Sequence, residues 1–272
     1  MKLTNKYNLP ESFVRAVRND PYKSSGDISV TRLIDSPQIN YLREKYKESI
    51  VEDVSEKIWI LLGQGVHSIL ERSDHGDKVK VEERLTHEIN GMVLSGQFDR
   101  LDLDNKALQD YKVTSTYKKD GDISWERQLN TLAFLARKNN YEVEKLQIIA
   151  VFRDWSRAKL RSDPDYPKVN VKVIDVPMWT EEKCLNYIGE RISLFKESKL
   201  GNPKPCTEEE RWMTPEKWAI KKPNAKRATK LFDKKPMYIN PGMILEHRPG
   251  KANRCEDYCN VKNFCPQWSK EN

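Results

Sequence analysis

Gly96-Gln97-Phe98-Asp99, followed after ten intervening residues by Asp110-Tyr111-Lys112, is the part of the sequence from which the fold is best predicted. Between the two motifs, Asp104-Asn105-Lys106 has the composition of a tight turn. Side chains alternate between the two faces of a strand, so Asp110 and Lys112 project to the same side. The segment therefore predicts a hairpin that places two carboxylates and an ammonium group on neighbouring strands.

The hairpin belongs to a longer pattern of strands and helices. Apolar residues from Lys78 to Thr114, with another turn at Asn90-Gly91, predict a three-stranded antiparallel meander. A cap residue and a first-turn proline at Ser36-Pro37 open a largely helical region that runs past Glu71, preceded by an irregular stretch. Further predicted elements are a helix over Ser124 to Asn139, strands over Lys145 to Phe152 and Val169 to Val176, a loop between these strands, and a helix over 180–199.

Length and composition limit the class of protein. The 272 residues suit one catalytic domain with a small appended subdomain, and we expect an N-terminal arm over 1–50, a core over 51–200 and a subdomain over 201–272. The net charge of +7 is compatible with nucleic acid as a partner. The apolar runs are too short to span a bilayer and no secretory signal is visible, so we expect a cytoplasmic protein without a membrane partner.

The paired acidic residues indicate metal chemistry. Hydrolysis of a phosphodiester requires neutralised charge on the phosphate and a hydroxide near neutral pH, and Mg²⁺ or Mn²⁺ held by carboxylates supplies both. Asp99 and Asp110 are the expected ligands, and Lys112 is expected beside the attacking water or a phosphate oxygen. Glu82 or Glu83 is a possible extra acidic group, but either can equally mark the solvent side of the sheet.

Two helices offer further candidates for the same site. Gly63, His67 and Glu71 lie at four-residue steps on one helix face, although a lone histidine is more often a packed or solvated residue. Gln128, near the start of the later helix, can bridge a DNA phosphate or the carboxylates, or can be an ordinary exposed glutamine.

The C-terminal region carries a cysteine group and a basic stretch. Cys206, Cys255, Cys259 and Cys265 can bind zinc or an iron-sulfur cluster, or can be free thiols, whereas Cys184 has the spacing of a core residue. The stretch from Lys217 to Lys235 interleaves aromatic and basic residues, so we expect DNA contact there, with a solvated charged surface as the alternative. The candidate DNA-binding residues are Lys221, Lys222, Lys226, Arg227 and Lys230.

The order of these motifs resembles the RecB-type branch of the PD-(D/E)XK nuclease superfamily, and more narrowly the nucleases encoded in phage and prophage genomes. The resemblance implies an α/β fold: a restriction-endonuclease-like core, in which helices flank a mixed sheet, with a cysteine-stapled C-terminal subdomain. It implies a metal held by His67, Asp99, Asp110 and the Tyr111 carbonyl, with Lys112 as catalytic lysine and Gln128 as motif glutamine. In the family the glutamine helix often reads Gln-x-x-x-Tyr, and here the last position is Leu132.

The same resemblance implies an activity and its cofactors. It favours a DNA exonuclease that uses Mg²⁺ or Mn²⁺ in phage recombination or DNA processing in a bacterial host, with a single-strand annealing or recombination protein as a partner. It favours a 4Fe-4S cluster at the four cysteines, but the close pair here has three intervening residues instead of two, so zinc remains the alternative. A non-catalytic DNA-binding or assembly subunit and a nuclease acting on RNA are the rival interpretations.

Overall fold

The computed structural model describes residues 2–19, 25–73, 76–118 and 121–271, so part of the predicted N-terminal arm lies outside the described residues. The chain forms two compact units, the first made of Met1–Asp35 and Val51–Asn202 and the second of Ser36–Ile50 and Pro203–Asn272. The domain boundaries expected from the sequence stay a prediction. Among the described residues, no helix combines the length and the apolar character needed to cross a membrane.

Helices and strands alternate along most of the chain. The helices are α1 Glu11–Arg18, α2 Val30–Ile34, α3 Pro37–Lys45, α4 Ile58–Ser73, α5 Ile123–Lys138, α6 Arg157–Ser162, α7 Glu181–Lys199 and α8 Pro266–Glu271. The strands are β1 Lys2–Thr4, β2 Ile28–Ser29, β3 Val51–Asp53, β4 Val79–Val81, β5 Arg84–Ile89, β6 Met92–Gln97, β7 Arg100–Asp102, β8 Ala107–Thr114, β9 Lys145–Phe152, β10 Val171–Val176, β11 Lys217–Lys221, β12 Lys230–Phe232 and β13 Ile244–Arg248.

The first unit is an α/β assembly in which helices flank mixed sheets, as predicted. Its five-stranded sheet has the order β10-β9-β8-β7-β4, in which β8 and β9 run parallel and the other neighbours antiparallel. A three-stranded sheet has the order β2-β6-β5, and β1 pairs in parallel with β3. The long strand β8, which carries Asp110 and Lys112, therefore lies in the middle of the larger sheet.

The predicted meander is bent, which the sequence did not reveal. Its first strand divides into β4 and β5 at Glu82-Glu83, and its second divides into β6 and β7 at Phe98-Asp99, so the halves join different sheets. Glu82 has a φ of +48°, in the left-handed region that a non-glycine residue rarely adopts. Backbone hydrogen bonds from Glu82 N to Asp99 O (3.1 Å) and from Phe98 N to Glu83 O (3.3 Å) hold the two bends together.

Helix α5 packs against the bent hairpin. Its predicted apolar stripe, which includes Trp125, Leu129 and Ala133, is buried, and Asp122 caps its first turn. A Cβ atom on Gly96 would lie only 2.6 Å from a methyl carbon of Leu132. The glycine is therefore required for close approach between strand β6 and helix α5.

Three connections differ from the predicted pattern. The region expected to be helical from residue 36 past residue 71 is interrupted by β3, because Asp53 Oδ2 accepts hydrogen bonds from Thr4 Oγ1 and Lys6 N at 2.8 Å. These contacts hold β3 beside β1. The N-terminal stretch expected to be irregular contains β1, α1 and α2, with Ser29 capping α2. The expected loop between β9 and β10 contains the short helix α6.

The second unit is more regular than predicted. The segment expected to be irregular contains an antiparallel sheet of order β12-β11-β13. Its strands are short and charged, so their alternation was a weak signal. Helix α3 begins where Ser36 Oγ accepts a hydrogen bond from Ile39 N, as the Ser-Pro pair predicted. Ile39 and Leu42 pack with Val261 and Cys265 in the small core of this unit.

Candidate active site

Four elements of the first unit bring the predicted site residues together. Helix α4 presents His67, the two bends present Glu82 and Asp99, and strand β8 presents Asp110 to Lys112. The ring of His67 lies among them: Nε2 is 2.9 Å from the Tyr111 carbonyl oxygen, and Nδ1 is 3.6 Å from both Glu82 Oε1 and Asp99 Oδ1. One ligand atom from each of His67, Glu82 and Asp99 lies within 4.8 Å of the others, close enough to share a metal ion.

Asp99 is buried and is oriented by the neighbouring strand. Its Oδ2 accepts a hydrogen bond from Tyr111 N at 2.6 Å. Burial, together with the negative charge of Asp110, raises the pKa of Asp99 to about 7. The neighbouring carboxylates, Glu82 first and then Asp99, raise the pKa of His67 to about 9. The repulsion between these neighbouring acidic groups is thus unfavourable, and a bound cation would relieve it.

Asp110 faces a cation and an amide. Lys112 Nζ lies 2.6 Å from Asp110 Oδ2, and Gln128 Nε2 donates to Asp110 Oδ1 at 3.0 Å. Burial lowers the pKa of Lys112, but the charges of Asp110 and Asp99 outweigh burial and leave that pKa raised. Lys112 is therefore positively charged in this arrangement, which suits stabilisation of negative charge better than the role of a base.

The two candidate glutamates lie on opposite sides of the bend. Glu82 points to His67, and its Oε2 accepts a hydrogen bond from Gln97 Nε2 at 2.8 Å. Glu83 points away, with its carboxylate oxygens 2.8 and 2.9 Å from the hydroxyl of Tyr141. The sequence could not separate them because the left-handed backbone at Glu82 breaks the strand alternation on which the register depends.

Gln97 contacts the candidate site, which the sequence analysis missed. It lies two residues before Asp99 and accepts a hydrogen bond from Arg84 Nη2 at 2.5 Å while donating to Glu82. The period of two along a strand was the available signal, since it places Gln97 on the same face as Asp99.

The two glycines of helix α4 near His67 face open space. A Cβ on Gly63 or Gly65 would meet nothing within 4 Å, so no described atom packs closely against either glycine.

The four cysteines of the second unit line one pocket. Ser36 Oγ lies 3.0 Å from Cys206 Sγ, and Gln38 Nε2 donates to Cys265 Sγ at 2.9 Å. Burial raises the pKa of Cys206 to about 12 and also raises the pKa of Cys259. Thiolates at these positions therefore need a compensating cation. Cys184 lies in the core of the first unit, as predicted.

The predicted DNA-binding residues fall on one hairpin of the second unit. Lys222, Lys226 and Arg227 are exposed in the connection between β11 and β12. Lys221 forms an ion pair with Glu246, and Lys230 Nζ lies 4.9 Å from the centre of the Phe232 ring. The hairpin thus presents at least three unburied cations.

Comparison with known proteins identifies a solved structure of similar fold. No protein-family model matches the sequence, and no curated protein does. Among solved structures, the protein SSO0001 is similar over 74% of this chain and 89% of its own, with 18% identity and a TM-score of 0.50. A phage-related exonuclease from Haemophilus somnus 129PT aligns over 69% of this chain and 77% of its own, with 12% identity and a TM-score of 0.31. A protein from Eubacterium rectale named as a candidate exonuclease aligns over 70% and 73%, with 14% identity and a TM-score of 0.34. The similarity to SSO0001 shows a shared fold.

Proposed function

We propose that this chain is a metal-dependent nuclease that hydrolyses phosphodiester bonds in DNA. One observation carries the proposal: the His67 ring lies 3.6 Å from carboxylate oxygens of both Glu82 and Asp99 and 2.9 Å from the Tyr111 carbonyl oxygen. On the same strand as that carbonyl, Asp110 pairs with Lys112 at 2.6 Å, and the charge of Asp110 acts on Asp99. A structural core has no need of three acidic groups at one place, because their mutual repulsion and burial destabilise it.

The donor set fits Mg²⁺ or Mn²⁺. His67, Glu82, Asp99, Asp110 and the Tyr111 carbonyl would hold the ion, and oxygen donors with one imidazole suit either metal. When bound, such an ion supplies neutralising charge for the phosphate and lowers the pKa of a water molecule.

The remaining groups of the site act on position and charge. The N–H of Tyr111 orients Asp99, and Gln128 orients Asp110. The ammonium group of Lys112 is held by Asp110 at 2.6 Å, where it can stabilise negative charge that develops on the phosphate. Catalysis would therefore depend on both the metal ligands and a fixed cation beside them.

We further propose that the four cysteines hold a 4Fe-4S cluster, with zinc as the alternative. All four line one pocket, and two of their sulfurs already have polar partners. The preference for the cluster over zinc comes from the family resemblance, because relatives with one remote cysteine and three C-terminal ones hold a 4Fe-4S cluster.

The finer features of the proposal come from the family resemblance. They are exonuclease action rather than endonuclease action, a role in phage recombination or DNA processing with an annealing or recombination protein as partner, and a cytoplasmic location in the host. The exposed basic hairpin, with Lys222, Lys226 and Arg227, supports contact with DNA phosphates in any of these settings.

End-labelled linear DNA and closed circular DNA, each incubated with Mg²⁺ or Mn²⁺, test the proposal. We expect degradation of linear DNA by the wild-type protein and none by Asp110→Ala or Lys112→Ala. Asp104→Ala, which removes an exposed carboxylate paired with Lys78, is the matched control and should retain activity. Undiminished cleavage by both site variants would contradict the nuclease assignment, and nicking of circles would contradict a strict exonuclease.

A further inference from the structure

A second group of exposed aromatic and basic side chains lies in the first unit, where strands β8 and β9 end. Trp59 is 56% exposed and Tyr117 is 77% exposed. The Arg153 guanidinium carbon lies 4.4 Å from the centre of the Trp59 ring, and Lys159 Nζ lies 5.0 Å from the centre of the Tyr117 ring. These four residues form what we call the stacking ridge.

Asp154 holds part of the ridge in place. Its carboxylate accepts hydrogen bonds from Ser115 Oγ and Thr116 N, both at 2.7 Å, so the segment after β8 is tied to the segment after β9. Lys159 also donates to the Tyr117 hydroxyl at 3.2 Å. The aromatic ring is thereby fixed at the surface, which reduces the entropy lost when a ligand stacks on it.

The ridge is close to the candidate active site along two elements. Arg153 N donates to Thr114 O at 2.9 Å, and Thr114 is the last residue of strand β8. Lys112 lies two residues earlier in the same strand, a distance of about 7 Å. Trp59 precedes His67 by eight residues of the same helix, a rise of about 12 Å. This separation corresponds to about three stacked nucleotides at about 3.4 Å each.

The surface around the ridge has the charge of a nucleic-acid site. Helix α6 and its flank expose Arg153, Arg157, Lys159 and Arg161 within nine residues. The acidic residue among them, Asp154, has its carboxylate occupied by Ser115 and Thr116. Arg153 and Lys159 lie against the two exposed rings, and such pairing of cations with rings matches a single strand of DNA, which offers phosphates and unstacked bases together.

We propose that the stacking ridge binds unpaired bases of single-stranded DNA and delivers the strand to the site at Asp110. The faces of paired bases are covered by their neighbours in a duplex, so stacking on Trp59 and Tyr117 selects an unpaired strand. Delivery to the site rests on the proposed nuclease function, whereas the binding itself does not.

Fluorescence anisotropy of the full-length protein in EDTA tests the ridge without any cleavage. The probes are a fluorescein-labelled oligo(dT) of about 20 nucleotides and a blunt duplex of the same length, at one fixed salt concentration. We expect Trp59→Ala and Tyr117→Ala each to weaken oligo(dT) binding about tenfold. Trp59→Phe should bind oligo(dT) within about threefold of the wild-type affinity, and duplex binding should be nearly unchanged in these variants. Trp212→Ala is the matched control, because Trp212 is 50% exposed and has the Arg254 guanidinium 5.5 Å from its ring, but lies outside the ridge.

Two results would contradict the proposed role of the stacking ridge. Unchanged oligo(dT) affinity in both alanine variants would show that the rings contact no base, and an equal loss for oligo(dT) and duplex would show that they do not select an unpaired strand. Because binding is measured without divalent metal, an inactive but oligo(dT)-binding protein would contradict the nuclease proposal alone.

Discussion

Gln97 donates hydrogen bonds from Nε2 to both the carboxylate and the backbone carbonyl of Glu82, at 2.8 and 3.0 Å. One side chain thereby holds a residue whose backbone is in the left-handed region. The contact spans the bend of the hairpin and aims Glu82 at His67, while Glu83 faces Tyr141.

Replacing the two neighbouring glutamates should have opposite consequences. We expect Glu82→Gln to weaken Mn²⁺ binding at least tenfold, because it removes a charged oxygen from the group around His67. Glu83→Gln is the matched control and should change Mn²⁺ affinity less than about twofold. Isothermal titration calorimetry measures both, and equal losses in the two variants would remove Glu82 from the metal site.

Neutralising the lysine should separate catalysis from DNA binding. We expect Lys112→Met to lower the cleavage rate by about 10²-fold or more, since the variant loses the charge held 2.6 Å from Asp110. DNA affinity in Ca²⁺ should fall less than about threefold, because one phosphate contact contributes little to overall binding. Single-turnover cleavage and anisotropy are the measurements, and a parallel loss in both would indicate a binding role instead.

Metal affinity should rise with pH. The pKa of Asp99 is raised to about 7 and that of His67 to about 9, so at neutral pH the metal must displace protons from both. Calorimetry of Mn²⁺ binding in buffers of different ionisation enthalpy should show proton release that decreases between about pH 7 and pH 9. No proton release at pH 7 would contradict these pKa shifts.

The same groups should make the metal-free protein less stable as pH rises. A folded-state pKa above the unfolded value means that the folded form binds more protons, so stability present at low pH is lost as pH rises through the folded pKa. For Asp99 that loss falls between its ordinary value of 3.8 and about 7. For His67 it falls between 6.5 and about 9. Urea unfolding in EDTA should therefore show a lower free energy of unfolding at pH 8.5 than at pH 6. In Asp99→Asn this decrease should be smaller, because the variant has no carboxyl group to titrate at that position.

Two glycine-to-alanine changes should have opposite signs. Gly96→Ala should lower the free energy of unfolding by about 1–3 kcal/mol, because its Cβ would lie 2.6 to 2.8 Å from Leu132, Leu135 and Val30. Gly65→Ala should raise it by about 0.5–1 kcal/mol, since helix α4 leaves open space there and alanine favours a helix. Chemical denaturation measures both. An unchanged free energy of unfolding in Gly96→Ala would mean that α5 can move away from β6 without destabilising the protein.

The cysteines should differ according to the unit in which they lie. We expect Cys206→Ser to abolish bound iron and the brown colour of the protein, because Cys206 lines the pocket of four cysteines. Cys184→Ser should retain the iron, since Cys184 is buried in the other unit. Iron, acid-labile sulfide and zinc analysis after anaerobic purification decides the matter. Colourless wild-type protein with stoichiometric zinc would contradict the cluster and leave a metal-bound cysteine group.

Local chemistry accounts for the elements that were predicted well. The Asn90-Gly91 turn forms with both residues at positive φ, as the turn requires, and Ser36 and the α5 apolar stripe behave as their spacing indicates. The short charged strands of the second unit and the parallel pairing of β1 with β3 were missed. Both depend on partners distant in sequence, which no local pattern encodes.

The sequence alone predicts which residues would carry the proposed chemistry: those of a Gly-x-x-Asp strand and an Asp-x-Lys strand, with a turn that pairs them. Only the packed structure shows that Glu82 rather than Glu83 faces His67, that Gln97 donates to Glu82, and that neighbouring carboxylates raise the pKa of Lys112. The physical reason lies in the two bends: the left-handed backbone at Glu82 overrides strand alternation, and the burial of Asp99 raises its pKa. Spacing specifies which groups can meet, whereas the bend and the packing around it specify which groups do.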